Sequence, residues 1–403
     1  MNARFWIPPI PLAAALGFQF LASIFVLVHA VRPGFGVELA WVHAVAVGWL
    51  TLTALAMLLH VIPSFTDLPW RAESVARVTV LVVAAAAFAL VIAFAAGSAQ
   101  GVAAAGSALA AAVVLYGALA IRTLSARAPD RQSATIARGL MLAVAALAAT
   151  AMLGGGLAAA FAGVNPGFLA FATSHAVLGI GAWLTVLAAG VSARTFRPLL
   201  GLRSRWRSVH ALAGGGLLVG AIVAATAAPW SPALFRAGVL LAAIGALAYV
   251  ADAADILRRA DGPHAAVRAF VTASVGWLAV ASILAVGASW GTSVARAAVV
   301  IALAGWLGQM VNAHLHHVGV RVVSTAILGG DDETRPWTLL APSLSWTAFA
   351  AGQIAVLAVA LRAQGAPAPY AWLGGTAGIA GLFAIALNGA TVIRRARQIR
   401  GAG

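Results

Sequence analysis

An all-α membrane bundle of about twelve spanning helices is what this sequence predicts, and three observations predict it. The chain is 63% hydrophobic and only 9% charged, with a mean hydropathy of +0.98, outside the range of soluble globular chains. Its apolar runs are about 20 to 26 residues long, the length that crosses about 30 Å of hydrocarbon. Its basic residues are all arginine and gather at alternate ends of those runs, as the positive-inside rule requires of a multi-pass protein.

In order along the chain, the apolar runs place spans near 8–31, 39–63, 76–97, 101–121, 139–162, 168–192, 208–228, 233–257, 267–288, 293–317, 340–361 and 371–393. The first keeps a polar flank and has no small-residue cleavage site, so it reads as a spanning helix and not a signal peptide. The second is expected to break at Pro63, and the sixth carries Pro198 in a comparable place. With the amino terminus inside, all the arginines but Arg32, Arg236, Arg296 and Arg362 fall in inner segments. Both termini are then cytoplasmic, and the expected location is a bacterial inner membrane. The turns on the other side are short: VRPGFG, GSAQG, GVNPG, APWSP and QGAPAP. They leave no room for an extramembrane domain, so residues 1–403 read as a single transmembrane helical domain.

The net charge of +15 follows from that topology and from attraction to anionic membrane lipid; it does not mark a nucleic-acid surface. The absence of cysteine excludes disulfides, iron–sulfur clusters, thiolate metal sites and c-type haem attachment. The absence of lysine excludes Schiff-base chemistry.

Histidine is what remains. An imidazole at membrane depth is a functional-site candidate by default, and histidines in a helical bundle commonly hold haem iron or copper. Two open related segments: HAVAVGWLTLTALAM from His43 and HAVLGIGAWLTVLAAG from His175. They suggest a weak internal repeat of the spans near 39–63 and 168–192. Both histidines lie at outer ends, as does His29. Two imidazoles from different helices at one depth are what a six-coordinate b-type haem needs. The competing reading makes each an interfacial histidine bonded to a carbonyl or a headgroup.

The inner ends hold His60, His210, His314, His316 and His317. His43 and His60 share a helix but stand about 25 Å apart along it, so they serve different sites. His314 and His317 are three apart on one helical face, a spacing compatible with a metal or a haem edge, with His316 pointing elsewhere. His60 and His210 are expected at the same depth. The bland alternative is an interfacial segment that binds lipid phosphate or the acidic run Asp331, Asp332 and Glu333. That run either orients ligands or, the favoured reading, pairs with Arg203, Arg205 and Arg207. Asp252 and Asp255 read as a solvated ion-pair cluster with Arg258 and Arg259. Glu38 reads either as a partner for a haem-bearing imidazole or as a helix-start carboxylate. His264 reads as a solvated loop residue. Glycine runs such as Gly154-Gly155-Gly156 make room for a neighbour or a flat cofactor.

A twelve-span layout whose second span begins His43-Ala44 and continues through Gly48-Trp49 to Pro63 resembles the haem–copper oxidase subunit I superfamily. It resembles still more that superfamily's smaller relatives, the NnrS-like membrane proteins, as does the segment HAVLGIGAWLTVLAAGVSARTFRPLL. The resemblance implies a low-spin haem ligand at His43 and a metal ligand at His175. The seventh span lacks the adjacent His-His pair of true oxidases, and the tyrosines Tyr116, Tyr249 and Tyr370 match no oxygen-cleaving tyrosine. A role as an oxygen-reducing enzyme is therefore left open.

The leading expectation is a membrane protein that binds haem b, with or without copper, in electron transfer or in nitric oxide or respiratory metabolism. His43 and His175 would hold an outer haem. His60, His210, His314 and His317 would form an inner haem or metal site, with His316 beside them as a further metal ligand. The electron donor would be a quinol or a cytochrome. Two alternatives stand beside it: a non-redox copper permease that uses the histidines as transient sites, and a structural subunit that needs a partner.

Overall fold

The computed structural model describes residues 9–202, 204–260, 264–329 and 336–402; the side chains of residues 9, 197, 198, 207, 208, 210, 211 and 402 are not among those described. Twelve helical spans follow one another: α1 (Pro9–Val31), α2 (Phe35–Thr66), α3 (Glu73–Ala96), α4 (Ala99–Leu124), α5 (Arg131–Phe161), α6 (residues 166–200), α7 (Arg207–Ala227), α8 (Pro232–Arg259), α9 (Ala265–Ser289), α10 (Ala295–Leu328), α11 (Pro342–Ala363) and α12 (Pro369–Ala402). Eleven are long and apolar enough to cross a bilayer; in α7 the apolar part, Leu212–Ala227, is shorter. The protein is a multi-pass α-helical membrane protein.

Several helices outrun their apolar cores. α5 begins at Arg131, capped by Asp130, whose carboxylate accepts the main-chain N–H groups of Gln132 and Ser133 at 2.7 and 2.9 Å. Those bonds hold its carboxyl below the usual carboxylate range. α12 runs on through an arginine-rich turn, where polar side chains keep their charges in the headgroup region. At the opposite, arginine-poor face, Trp230, Trp290 and Trp372 are exposed as interfacial anchors, and the Arg236 guanidinium sits 4.6 Å above the Trp290 ring.

Pro63 does not break α2. Its ring removes the N–H that would bond the Leu59 carbonyl, and the indole N–H of Trp70 donates to that carbonyl instead, at 3.2 Å. The helix therefore continues to Thr66. α6 likewise runs past residue 198 to Leu200.

Small residues let the helices approach closely, which matters where lipid offers no hydrophobic drive for association. α7 and α8 pack through Gly216 and Gly245, where an added Cβ on Gly216 would lie 3.1 Å from the Gly245 Cα. An outer ring of helices closes where α1 packs on α12, and α2, α6 and α10 meet within it. Each of these three is interrupted by a widened π-turn: Ala44–Thr51, Leu178–Thr185 and Ile301–Leu307. All three π segments touch one another, and each carries a Trp-Leu pair: Trp49-Leu50, Trp183-Leu184 and Trp306-Leu307. A π-turn that carries a Trp-Leu pair thus recurs in three spans.

Tertiary bonds hold the widened turns. The Trp183 indole N–H donates to the Thr51 hydroxyl at 3.0 Å, tying α6 to α2. The Ser274 hydroxyl of α9 donates to the Trp306 carbonyl at 2.7 Å. π-Turns of this kind concentrate at functional sites.

Candidate functional site

His43 closes the last α-helical turn before the α2 π segment, and His175 lies just ahead of the α6 π segment. The crossing of the two spans brings their rings together. The ring centroids are 6.4 Å apart and the planes are inclined by only 17°. Each ring is held from behind by a main-chain carbonyl. Nδ1 of His43 donates to Leu39 at 2.8 Å, one turn back, and Nδ1 of His175 donates to Thr150 of α5 at 3.0 Å. A carbonyl only accepts, so the proton sits on Nδ1 and the lone pair on Nε2. That is the tautomer and the support a metal-ligating histidine has.

Close packing fixes the pair further. A Cβ added at Gly154 would sit 2.9 Å from Cε1 and 3.4 Å from Nδ1 of His175, so the first glycine of that triplet clears the imidazole. The neighbouring Gly155 and Gly156 face Ala110 and Phe168, so protein side chains take the room the triplet makes. Phe94 lies 4.8 Å from the His43 ring, between it and Phe161. Glu38 does not bond this imidazole. It lies 3.3 Å from Nε2 of His29 and 3.6 Å from the Arg296 guanidinium, joining α1, α2 and α10 at the arginine-poor face.

The histidines at the arginine-rich end are arranged differently. His314 donates from Nδ1 to Met310 at 2.8 Å, and the Thr195 hydroxyl of α6, 2.9 Å from Nε2, occupies its lone pair. His316 donates from Nδ1 to Asn312 at 2.8 Å and packs 5.0 Å from Phe270 of α9. His317 stacks on Trp337 at 6.3 Å. A fourth widened turn, Leu315–Gly319, swings these rings toward separate neighbours. His60 is half-buried, with the Ser64 hydroxyl 3.4 Å from its ring. The side chain of His210 lies outside the described residues. Among the described residues, no group of three or more His, Cys, Asp or Glu side chains that could hold a metal ion is assembled. The expected convergence at His314, His316 and His317 is therefore not found there.

Three further expectations change. His264 is not a solvated loop residue: it caps α9, its Nδ1 accepting the Val267 N–H at 3.3 Å. Burial, and then the charge of His316, push its pKa down to about 4. Asp255 is buried, not solvated, and binds Arg205 at 2.7 Å and Arg259 at 2.8 Å. Asp252 is buried too and accepts from Ser204 at 2.5 Å. Arg205 is thus engaged by Asp255, while the acidic run 331–333 and Arg203 lie outside the described residues.

A polar stripe runs along α10. Gln309 accepts at Oε1 from the Gln353 amide at 3.1 Å, and Gln353 accepts from the Trp277 indole at 2.8 Å, linking α9, α10 and α11. The chain matches no protein-family model and no curated protein. The geometry itself carries the functional reading.

Proposed function

We propose that this chain holds a transition-metal centre between His43 and His175, with haem iron as the first reading. As such it would serve electron transfer or nitric oxide or respiratory metabolism in a bacterial inner membrane. The observation that carries this is the spacing of the two rings, 6.4 Å between centroids. A metal lying in the plane of both rings, at about 2 Å from each Nε2, puts the ring centres about 6 Å apart. The donor set fits as well: two neutral imidazoles with Nδ1–H tied to carbonyls and no hydrogen-bond partner for Nε2 among the described residues.

A haem held there by His43 and His175 would supply a one-electron couple. The protein's part is orientation and shielding. Leu39 and Thr150 fix the ring angles, Gly154 clears the His175 ring, and Phe94 covers one side of His43. The resemblance to haem–copper oxidase-like and NnrS-like proteins agrees with this assignment. A quinol, a cytochrome or a partner subunit would supply electrons.

A second reading is a copper permease that uses the paired imidazoles of His43 and His175 as a transient site. Two imidazoles also suit a single copper ion.

Absorption spectroscopy with iron and copper analysis of the detergent-purified protein tests both. A reduced b-type band that disappears in His43→Ala and in His175→Ala, and survives in His314→Ala, is the expected result. Copper without haem would move the assignment to the permease. Neither metal after expression with added iron, copper and haem precursor would end both.

A further inference from the structure

Among the described residues, two buried acceptors on α10 have no protein partner: Oδ1 of Asn312 and Nε2 of His316. Asn312 is 4% exposed and His316 3%. In an apolar interior each orphaned polar atom costs about 1–3 kcal/mol, so each calls for a donor that no described residue supplies. The two residues are four apart, and the 2.8 Å bond from Nδ1 to the Asn312 carbonyl folds the imidazole back over that residue. The same bond fixes the proton on Nδ1, leaving Nε2 as an acceptor.

Both residues belong to a polar line along the α9–α10 seam. At one end, His264 caps α9 at the arginine-rich face, close enough for its titration to be coupled to that of His316. Phe270, six residues on and buried, packs against the His316 ring. Further in lie Asn312 and then the amide chain from Gln309 through Gln353 to Trp277. The other titratable or charged groups around this stretch are His314, turned toward Thr195 of α6, and His317 and Arg321 on α10 itself. The facing side of α9 offers Phe270 and Ser274 and no acid.

We propose that Asn312 and His316 form a buried water-binding site between α9 and α10, reached from the arginine-rich face past His264, through which a proton is delivered to His316. Water satisfies two acceptors by donating to both, and such sites need two to four polar partners. The proton adds to the Nε2 lone pair, giving an imidazolium whose Nδ1–H stays on the Asn312 carbonyl and whose new N–H faces the water. Nothing in this step depends on a metal at His43 and His175.

Water-edited ¹⁵N solid-state NMR of the unsubstituted protein in lipid bilayers tests it directly. The expected result is polarisation transfer from water to the His316 ring as fast as to His264 and much faster than to the Trp183 indole, which bonds Thr51. Transfer as slow as at Trp183 overturns the site. Lowering the pH to 4 in the same samples should move the His316 ring nitrogens to imidazolium shifts; unchanged shifts overturn the proton step while leaving the metal proposal intact. The cysteine-free chain permits a second measurement. Asn312→Cys should react with a small water-soluble thiol reagent at least about tenfold faster than Ala313→Cys, because only a hydrated thiol ionises and reacts readily. Equal rates overturn the proposal.

Discussion

The pair at one end of the bundle and the cluster at the other begin from the same local device. His43, His314 and His316 each donate from Nδ1 to the carbonyl four residues back, and His175 does the same to a neighbouring helix. What separates them is the second nitrogen. At His43 and His175 the two rings face each other nearly parallel at 6.4 Å. At His314 it meets Thr195, and at His316 it is buried with no protein partner. The richer-looking motif, His-x-His-His, disperses its rings, while two single histidines a third of the chain apart converge. Helix crossing, not motif density, decides whether imidazoles share a ligand.

The sharpest break of that comparison is loss of either paired ring. His43→Ala or His175→Ala should abolish bound metal or haem, exceeding the roughly 10- to 100-fold effect of removing a supporting hydrogen bond. His314→Ala should leave it in place; equal losses from all three would erase the distinction. Metal content per purified protein reads this. Gly154→Val comes next. The added side chain must push the His175 ring aside, given that even a Cβ would lie 2.9 Å from Cε1. About tenfold weaker binding with an altered absorption band is expected, and an unaltered band would mean the ring position is irrelevant.

At the other end, Thr195→Val removes the hydroxyl from Nε2 of His314 and should cost about 1 kcal/mol. Thermal unfolding in detergent measures this, and the metal content should not change. The smallest effect concerns His264. Its pKa in the folded protein lies below the ordinary value of 6.5, at about 4. The folded state therefore binds fewer protons there than the unfolded state, and the stabilisation is present above pH 6.5 and lost as pH falls toward 4. Because the ring is partly exposed, the change should stay under about 1 kcal/mol. His264→Asn keeps a capping side chain and should flatten that part of the stability profile.

Much of the architecture was legible because lipid leaves a chain few options: spans must be long, apolar and helical. Arginine placement and run length located all twelve spans. His43 and His175 were legible as a pair because both open His-Ala segments ahead of a Trp-Leu-Thr sequence. The π-turns were not legible, since Thr51 and Ser274, which steady two of them, lie on other helices. Nor was the α10 π-turn, because Gly305-Trp306-Leu307 has no histidine before it and Gly276-Trp277-Leu278 of α9 carries the same three residues. Trp70, which stands in for the bond missing at Pro63, could not be foreseen from local sequence. His316 was set aside because an ideal helix turns it away from His314. Leu315–Gly319 is not an ideal helix.

Those enlarged turns have one more effect. A segment bonded five residues apart holds one residue more per turn than its flanks, so the two halves of each interrupted span sit out of angular phase. Rewinding Ile301–Leu307 as regular α-helix with no residue removed would rotate everything after it by about 100°. Asn312, His316 and Thr195's partner His314 would then all face new surroundings, although none of them had been replaced.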